Sequence, residues 1–262
     1  MATRVIEWRG LTLPSPNDCH CAAPRVIPAG EMIVNIPDNI ARVEMRIAAA
    51  CLRSGRRRED VKLVAVSKNQ PAESVRVAYA EGLREFGENR VQEAMAKSRS
   101  LADLNPVWHM LGHLQSNKAR IARELFQWVQ SIDSLRLAEK LALAANPGAA
   151  PLPVLIEVNL GEEISKAGVL AGEVTTLAEQ IATLTALELR GLMVIPPFFE
   201  HPVEVRPYFR QLRNLATEVE SRRLPNVSMR ELSMGMSNDF EVAIEEGATI
   251  IRVGTAIFGE RA

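Results

Sequence analysis

Cysteine is scarce in this chain. Cys19, Cys21 and Cys51 are too few for a disulfide framework and fit a reducing cytoplasm. Neither sign of charge is in excess: 31 basic and 32 acidic residues interleave to a net −1, which points away from nucleic acid and from anionic membranes. No apolar run is long enough to span a bilayer, and no apolar h-region follows the early arginine as a secretory leader requires. No fixed-period repeat, low-complexity tract or linker is visible after residue 38. What remains is an ordinary globular composition, 47% hydrophobic and 24% charged in 262 residues. That length suits one large domain or two small ones.

Residues 1–37 stand apart. Pro14, Pro16, Pro24, Pro28 and Pro37 punctuate them, and neither a strand period nor a helix period persists. Cys19-His20-Cys21 lacks a second ligand pair at finger-like spacing, so it is a weak metal motif. The expectation is a poorly ordered extension on a domain spanning 38–262, with Met32 an alternative start of translation.

From Asp38 onward the pattern is regular. DNIARVEMRIAAACLRSG offers Asp38 as a cap, apolar residues at Ile40, Val43, Ile47 and Cys51, and Gly55 as a stop. Short apolar runs then alternate with amphipathic stretches. Strands are predicted at 61–67, 84–86, 107–111, 128–132, 153–159, 187–195, 228–232 and 250–253, each with a helix between it and the next. Such runs read as strands buried on both faces of a parallel sheet. Eight units in about 225 residues favour a closed (β/α)8 TIM barrel, with the helix at 38–55 standing in for one missing after the last strand. A doubly wound sheet is the other arrangement, but no glycine-rich dinucleotide fingerprint follows the first strand.

In such a barrel the loops after the strands build the active site. Lys68 directly follows the first apolar run, VKLVAV, and Pro71 opens the next helix. A desolvated lysine has a lowered pKa and serves as an amine nucleophile, for instance as a Schiff base with an aldehyde such as pyridoxal phosphate. Asn89 follows the second strand, His113 the third, Asn159 the fifth and Met193 to Pro197 the sixth. Ser233, Met234, Gly235, Met236 and Ser237 follow the seventh, and Gly254 and Thr255 the eighth. The last two loops combine small residues, hydroxyls and helix starts, features that suit a phosphate. Arg252, in an otherwise apolar strand, must project into a polar centre or leave by the barrel end. His113 reads equally as a site base or a loop histidine. Met193, Met234 and Met236 line a pocket or core.

VAVSKNQPAE, FGENRVQEA, WHMLGHLQSNK, VNLGEEISKAGV, LRGLMVIPP, LSMGMSNDFEVAI and IRVGTAIFGER resemble the pyridoxal phosphate homeostasis proteins of the YggS/PROSC family, from about residue 38 to the end. The resemblance implies a fold-type-III barrel like the N-terminal domain of alanine racemase. It implies Lys68 as the Schiff-base lysine and Asn89 against the ring. Ser233, Gly235, Ser237, Gly254 and Thr255 then fall at the phosphate end, with Arg252 toward the pyridine nitrogen. Lys166, in the SKAGV loop, is a further family-like position without an assigned role.

A racemase on this scaffold needs two bases, one on each face of the substrate. The two-domain racemases take their second base, a tyrosine, from a further domain, for which this chain is expected to have no room. Its only tyrosines, Tyr79 and Tyr208, fall inside predicted helices. The expectation is therefore a non-enzymatic, monomeric, cytoplasmic carrier. It would hold pyridoxal phosphate covalently on Lys68 and buffer it or deliver it to apo-enzymes that depend on the cofactor. The alternative is an amino-acid racemase or another fold-type-III enzyme, with His113 or a partner chain as second base.

Overall fold

The computed structural model describes residues 34–161 and 167–260. The expectations for residues 1–33, the Cys19-His20-Cys21 motif and Lys166 lie outside the described residues. The strands are β1 (Lys62–Val66), β2 (Glu85–Glu88), β3 (Val107–Met110), β4 (Trp128–Ile132), β5 (Leu152–Asn159), β6 (Val169–Leu170), β7 (Leu187–Val194), β8 (Val227–Ser233) and β9 (Ile250–Val253). All described pairings are parallel. The order is β4-β3-β2-β1-β9-β8-β7-β5, and β4 pairs with β5, so eight strands close into a ring. The two-residue β6 adds to the end of β5. This is the expected (β/α)8 TIM barrel.

The helices are α1 (Ile36–Arg53), α2 (Ala72–Ala80), α3 (Val91–Ser100), α4 (Ala119–Leu125), α5 (Leu135–Leu143), α6 (Val174–Ile181), α7 (Arg206–Ser221), α8 (Phe240–Glu245) and α9 (Thr255–Phe258). Helix α1 packs on α2, α8 and α9, so it fills the slot that a full helix after β9 would take. It begins two residues before Asp38 because Asn35 is the cap: its Oδ1 accepts from the Asp38 N–H at 3.2 Å. Asp38 becomes instead a first-turn acid, favourable at the positive end of the helix. Buried Glu246 draws α7 onto the end of α8, accepting from Arg206 at 2.6 Å and Arg210 at 3.0 Å.

Alternation along each strand divides the core into two. Leu63, Ala65, Val154, Ile156, Ile251 and Val253 pack outward under the helices. Val64, Leu111, Leu155, Met193 and Ile250 form a separate cluster, the apolar layer that plugs the barrel. Two residues further along their strands, Val66, Glu157 and Arg252 face the space above that plug. Register makes this possible: Val64 lies opposite Arg252 across β1 and β9, so the arginine enters the interior at a fixed height.

Candidate functional site

A cavity of about 510 Å³ opens above the plug, at the C-terminal ends of the strands. That volume suits a small aromatic ligand. Residues singled out in the sequence line it, among them Lys68, Asn89, His113, Asn159, Met236, Ser237, Arg252, Gly254 and Thr255. Three others stand behind the wall. Met193 is fully buried in the apolar plug beneath the cavity. Ser233 is buried inside the barrel and holds Arg252. Gly235 is buried in the loop before α8 with φ +92°, where an added Cβ would come within 2.5 Å of the Ala243 Cβ. That position needs glycine both for its left-handed backbone and for the close approach of α8.

The side chains are held from several directions. Lys68 sits in the turn after β1, closed by a hydrogen bond from the Gln70 N–H to the Ser67 carbonyl at 3.0 Å. Asn89 is braced by Gly112: a Cβ there would stand 2.5 Å from the Asn89 carbonyl oxygen, so the loops after β2 and β3 touch backbone to backbone. His113 Nδ1 lies 2.7 Å from Asp133 Oδ2, which orients an otherwise exposed imidazole at the rim. Across the mouth, the N–H groups of Gly254 and Ala256 converge on Ser237 Oγ at 3.3 and 3.2 Å. Two amides, two hydroxyls and a glycine at one wall make a set suited to an oxyanion.

Arg252 is buried between this wall and the plug. Its guanidinium donates to Ser233 Oγ at 2.6 Å and to the Val194 carbonyl at 2.8 Å. Burial lowers its pKa to about 10, with Glu157 and Asp239 opposing that shift, so it stays charged at neutral pH. The hydrogen bonds continue down the barrel in one direction. Ser233 Oγ donates to Gln130 Oε1 at 2.6 Å, and Gln130 Nε2 donates to His109 Nδ1 at 2.9 Å. His109 Nε2 then donates to Glu85 Oε2 at 2.6 Å. Burial pushes the His109 pKa down, which fits the neutral tautomer that this chain requires. His109 thus belongs to the packing of strand β3.

The buried acid that lines the cavity is not among the residues singled out in the sequence. Glu157, on β5, is buried, and its Oε2 has no hydrogen-bond partner among the described residues. Burial pushes its carboxyl up to about 7, with Arg252 pulling the other way. The signal was available: a lone acid in LPVLIEVN invites the same argument that singled out Arg252. An orphaned buried acceptor beside a charged guanidinium, above a dry plug and opposite a lysine, is an environment that a polar aromatic ligand would complete. The donor set therefore fits pyridoxal phosphate: an amine for its aldehyde, a hydroxyl-and-amide wall for its phosphate and a buried polar centre between them.

Comparison with known proteins agrees. The alanine racemase N-terminal domain family matches residues 44–262. The pyridoxal phosphate homeostasis protein of Aquifex aeolicus is 45% identical over 228 residues, 87% of this chain and 99% of that one. The solved structure of PipY from Synechococcus elongatus, with PLP bound, is 43% identical with a TM-score of 0.74, covering 86% of this chain and all of that one. Alanine racemase from Corynebacterium glutamicum, at 19% identity and a TM-score of 0.65 over 86% of this chain and 62% of its own, shares the fold. The chain thus belongs to the pyridoxal phosphate homeostasis protein family, on the barrel of the alanine racemase N-terminal domain.

Proposed function

We propose that this protein binds pyridoxal 5′-phosphate in the cavity at the C-terminal mouth, with Lys68 as the amine of attachment, and buffers it or passes it to PLP-dependent apo-enzymes. The observation that carries this reading is that Lys68, at the end of β1, shares one cavity with Ser237, Gly254 and Thr255. When bound, the cofactor supplies an aldehyde that condenses reversibly with a primary amine. The protein's part is to hold and orient. Ser237, Thr255 and the amides of Gly254 and Ala256 take the phosphate, with Ser233 and Gly235 shaping that end from behind. Asn89 lies along the ring, His113 closes the rim and Met193 supports the floor. Arg252 faces the pyridine nitrogen and, being charged, keeps it unprotonated. Such a nitrogen is a weak electron sink, which suits storage better than turnover. With this reading go a monomeric state and a cytoplasmic setting. Among the described residues no helix is long and apolar enough to cross a membrane.

The test is an absorbance spectrum of the purified protein with PLP, before and after borohydride. The expected result is a visible band that borohydride removes, a reduced label on the Lys68 peptide and no label in Lys68→Ala. A label on another lysine, or none, would overturn the assignment. A second reading, proton transfer on an amino acid, draws on the His113–Asp133 pair, since an acid that orients a histidine is a common base arrangement. Amino-acid racemisation by the loaded protein, lost in His113→Ala, would favour it over the carrier.

A further inference from the structure

Behind the loop that carries Lys68 lies an ion cluster that the proposed function leaves unused. Lys97, on α3, is only 5% exposed. Its ammonium commits three hydrogen bonds: to the Ser67 carbonyl at 2.5 Å, Glu88 Oε1 at 2.6 Å and Glu93 Oε1 at 2.7 Å. Both carboxylates also reach the same loop. Glu88 Oε1 accepts from Ser67 Oγ at 2.6 Å, and Glu93 Oε1 accepts from the Asn69 N–H at 2.5 Å. The Ser67 carbonyl belongs to the peptide unit before Lys68, and the Asn69 N–H to the unit after it. The cluster therefore grips the backbone on both sides of one residue.

The turn that Lys68 sits in needs gripping, because the residue after it is left-handed. Asn69 has φ 60°, a left-handed conformation that costs a side-chain-bearing residue free energy. A buried lysine with two acids is an inefficient way to stabilise a core, because desolvation consumes most of the Coulomb gain. Oriented charges do fix a backbone position, and a nucleophile held near its attack geometry reacts faster than one that must find it. We propose that Lys97, with Glu88 and Glu93, is a positioning group for Lys68. It locks the two flanking peptide units so that the Lys68 amine projects across the cavity. This inference rests on the reading of Lys68 as the amine of attachment.

Attachment joins the Lys68 nitrogen to the aldehyde carbon with loss of one water and no transfer of electrons. Its rate can be followed by stopped-flow absorbance in Glu93→Ala, Glu93→Gln and Lys97→Met. Pyridoxine 5′-phosphate, which carries an alcohol in place of the aldehyde, reports the rest of the pocket through its affinity. Glu93→Ala is expected to fold, to bind pyridoxine 5′-phosphate like the parent and to capture PLP about 10-fold or more slowly. Glu93→Gln, which keeps an oxygen for the Asn69 N–H, is expected to recover most of the rate. Lys97→Met is expected to be slower still; should it fail to fold, the two Glu93 variants decide. Capture at the parental rate in a folded Glu93→Ala protein overturns the inference. So does a loss of pyridoxine 5′-phosphate affinity that matches the loss of rate, since that signals a collapsed pocket. A parent that forms no borohydride-fixed adduct instead overturns the assignment of Lys68 itself.

Discussion

The two ends of this barrel are built on opposite terms. From Arg252 downward, Ser233, Gln130, His109 and Glu85 pass hydrogen bonds in one direction. Lys62 caps that end over the Trp128 ring at 4.4 Å, and Trp128 stacks on His109. Above the plug, Glu157 Oε2 is buried with no hydrogen-bond partner among the described residues, and His113 and Thr255 are exposed at the rim. The lower end has spent its polar groups on itself, and the upper end has kept some in reserve. Groups already paired rigidify, and groups left open await a ligand. Arg252 belongs to both ends, fixed from below and facing upward.

Four substitutions test that contrast. Lys68→Ala is expected to abolish covalent capture of PLP while the protein still folds, since the side chain fills no core; absorbance and a circular dichroism spectrum check both. At the lower end, Gln130→Leu strips partners from His109 and Ser233 at once. It is expected to destabilise the fold by about 2–4 kcal/mol, read from urea unfolding.

At the upper end the expected sign is reversed. Glu157 has its pKa raised from 4.5 to about 7, so the folded state favours the neutral acid. Its stabilising contribution is complete below about 4.5 and disappears as pH rises through about 7. Glu157→Gln should therefore stabilise the unliganded protein by about 2 kcal/mol at pH 8 and by much less at pH 5. Urea midpoints at the two pH values check this; equal shifts would mean that Glu157 is ionised throughout. The smallest effect belongs to the rim: His113→Ala should cost less than about 0.5 kcal/mol, because its pair with Asp133 is solvated.

Much of this was legible in the sequence because buried parallel strands announce themselves. The runs at 128–132 and 250–253 coincide with β4 and β9, and the others differ at their ends by one or two residues. The rim was legible for the same reason, since a closed parallel barrel sends every strand end to one face. Helix starts were harder. The loop before α7 forms a 3-10 turn over Pro202–Val205, and α8 is confined to Phe240–Glu245 because Asp239 folds back to the Met236 N–H at 2.6 Å. Depth was hardest to read. Met193 and Ser233 carry strand-end positions in the sequence, yet they lie under the cavity, because depth depends on register between neighbouring strands. Lys97 looks like any surface lysine in AMAKSRS; its burial is decided by a loop 30 residues earlier.

Closure between β1 and β9 carries a consequence for how the protein is made. Lys68 and the Gly254–Thr255 corner come from nearly opposite ends of the described chain and become neighbours only when the ring shuts. A nascent chain on the ribosome therefore has no complete cavity until strand β9 has emerged. Any ligand that bridges the seam would resist its reopening, so occupancy of the cavity and closure of the ring favour each other.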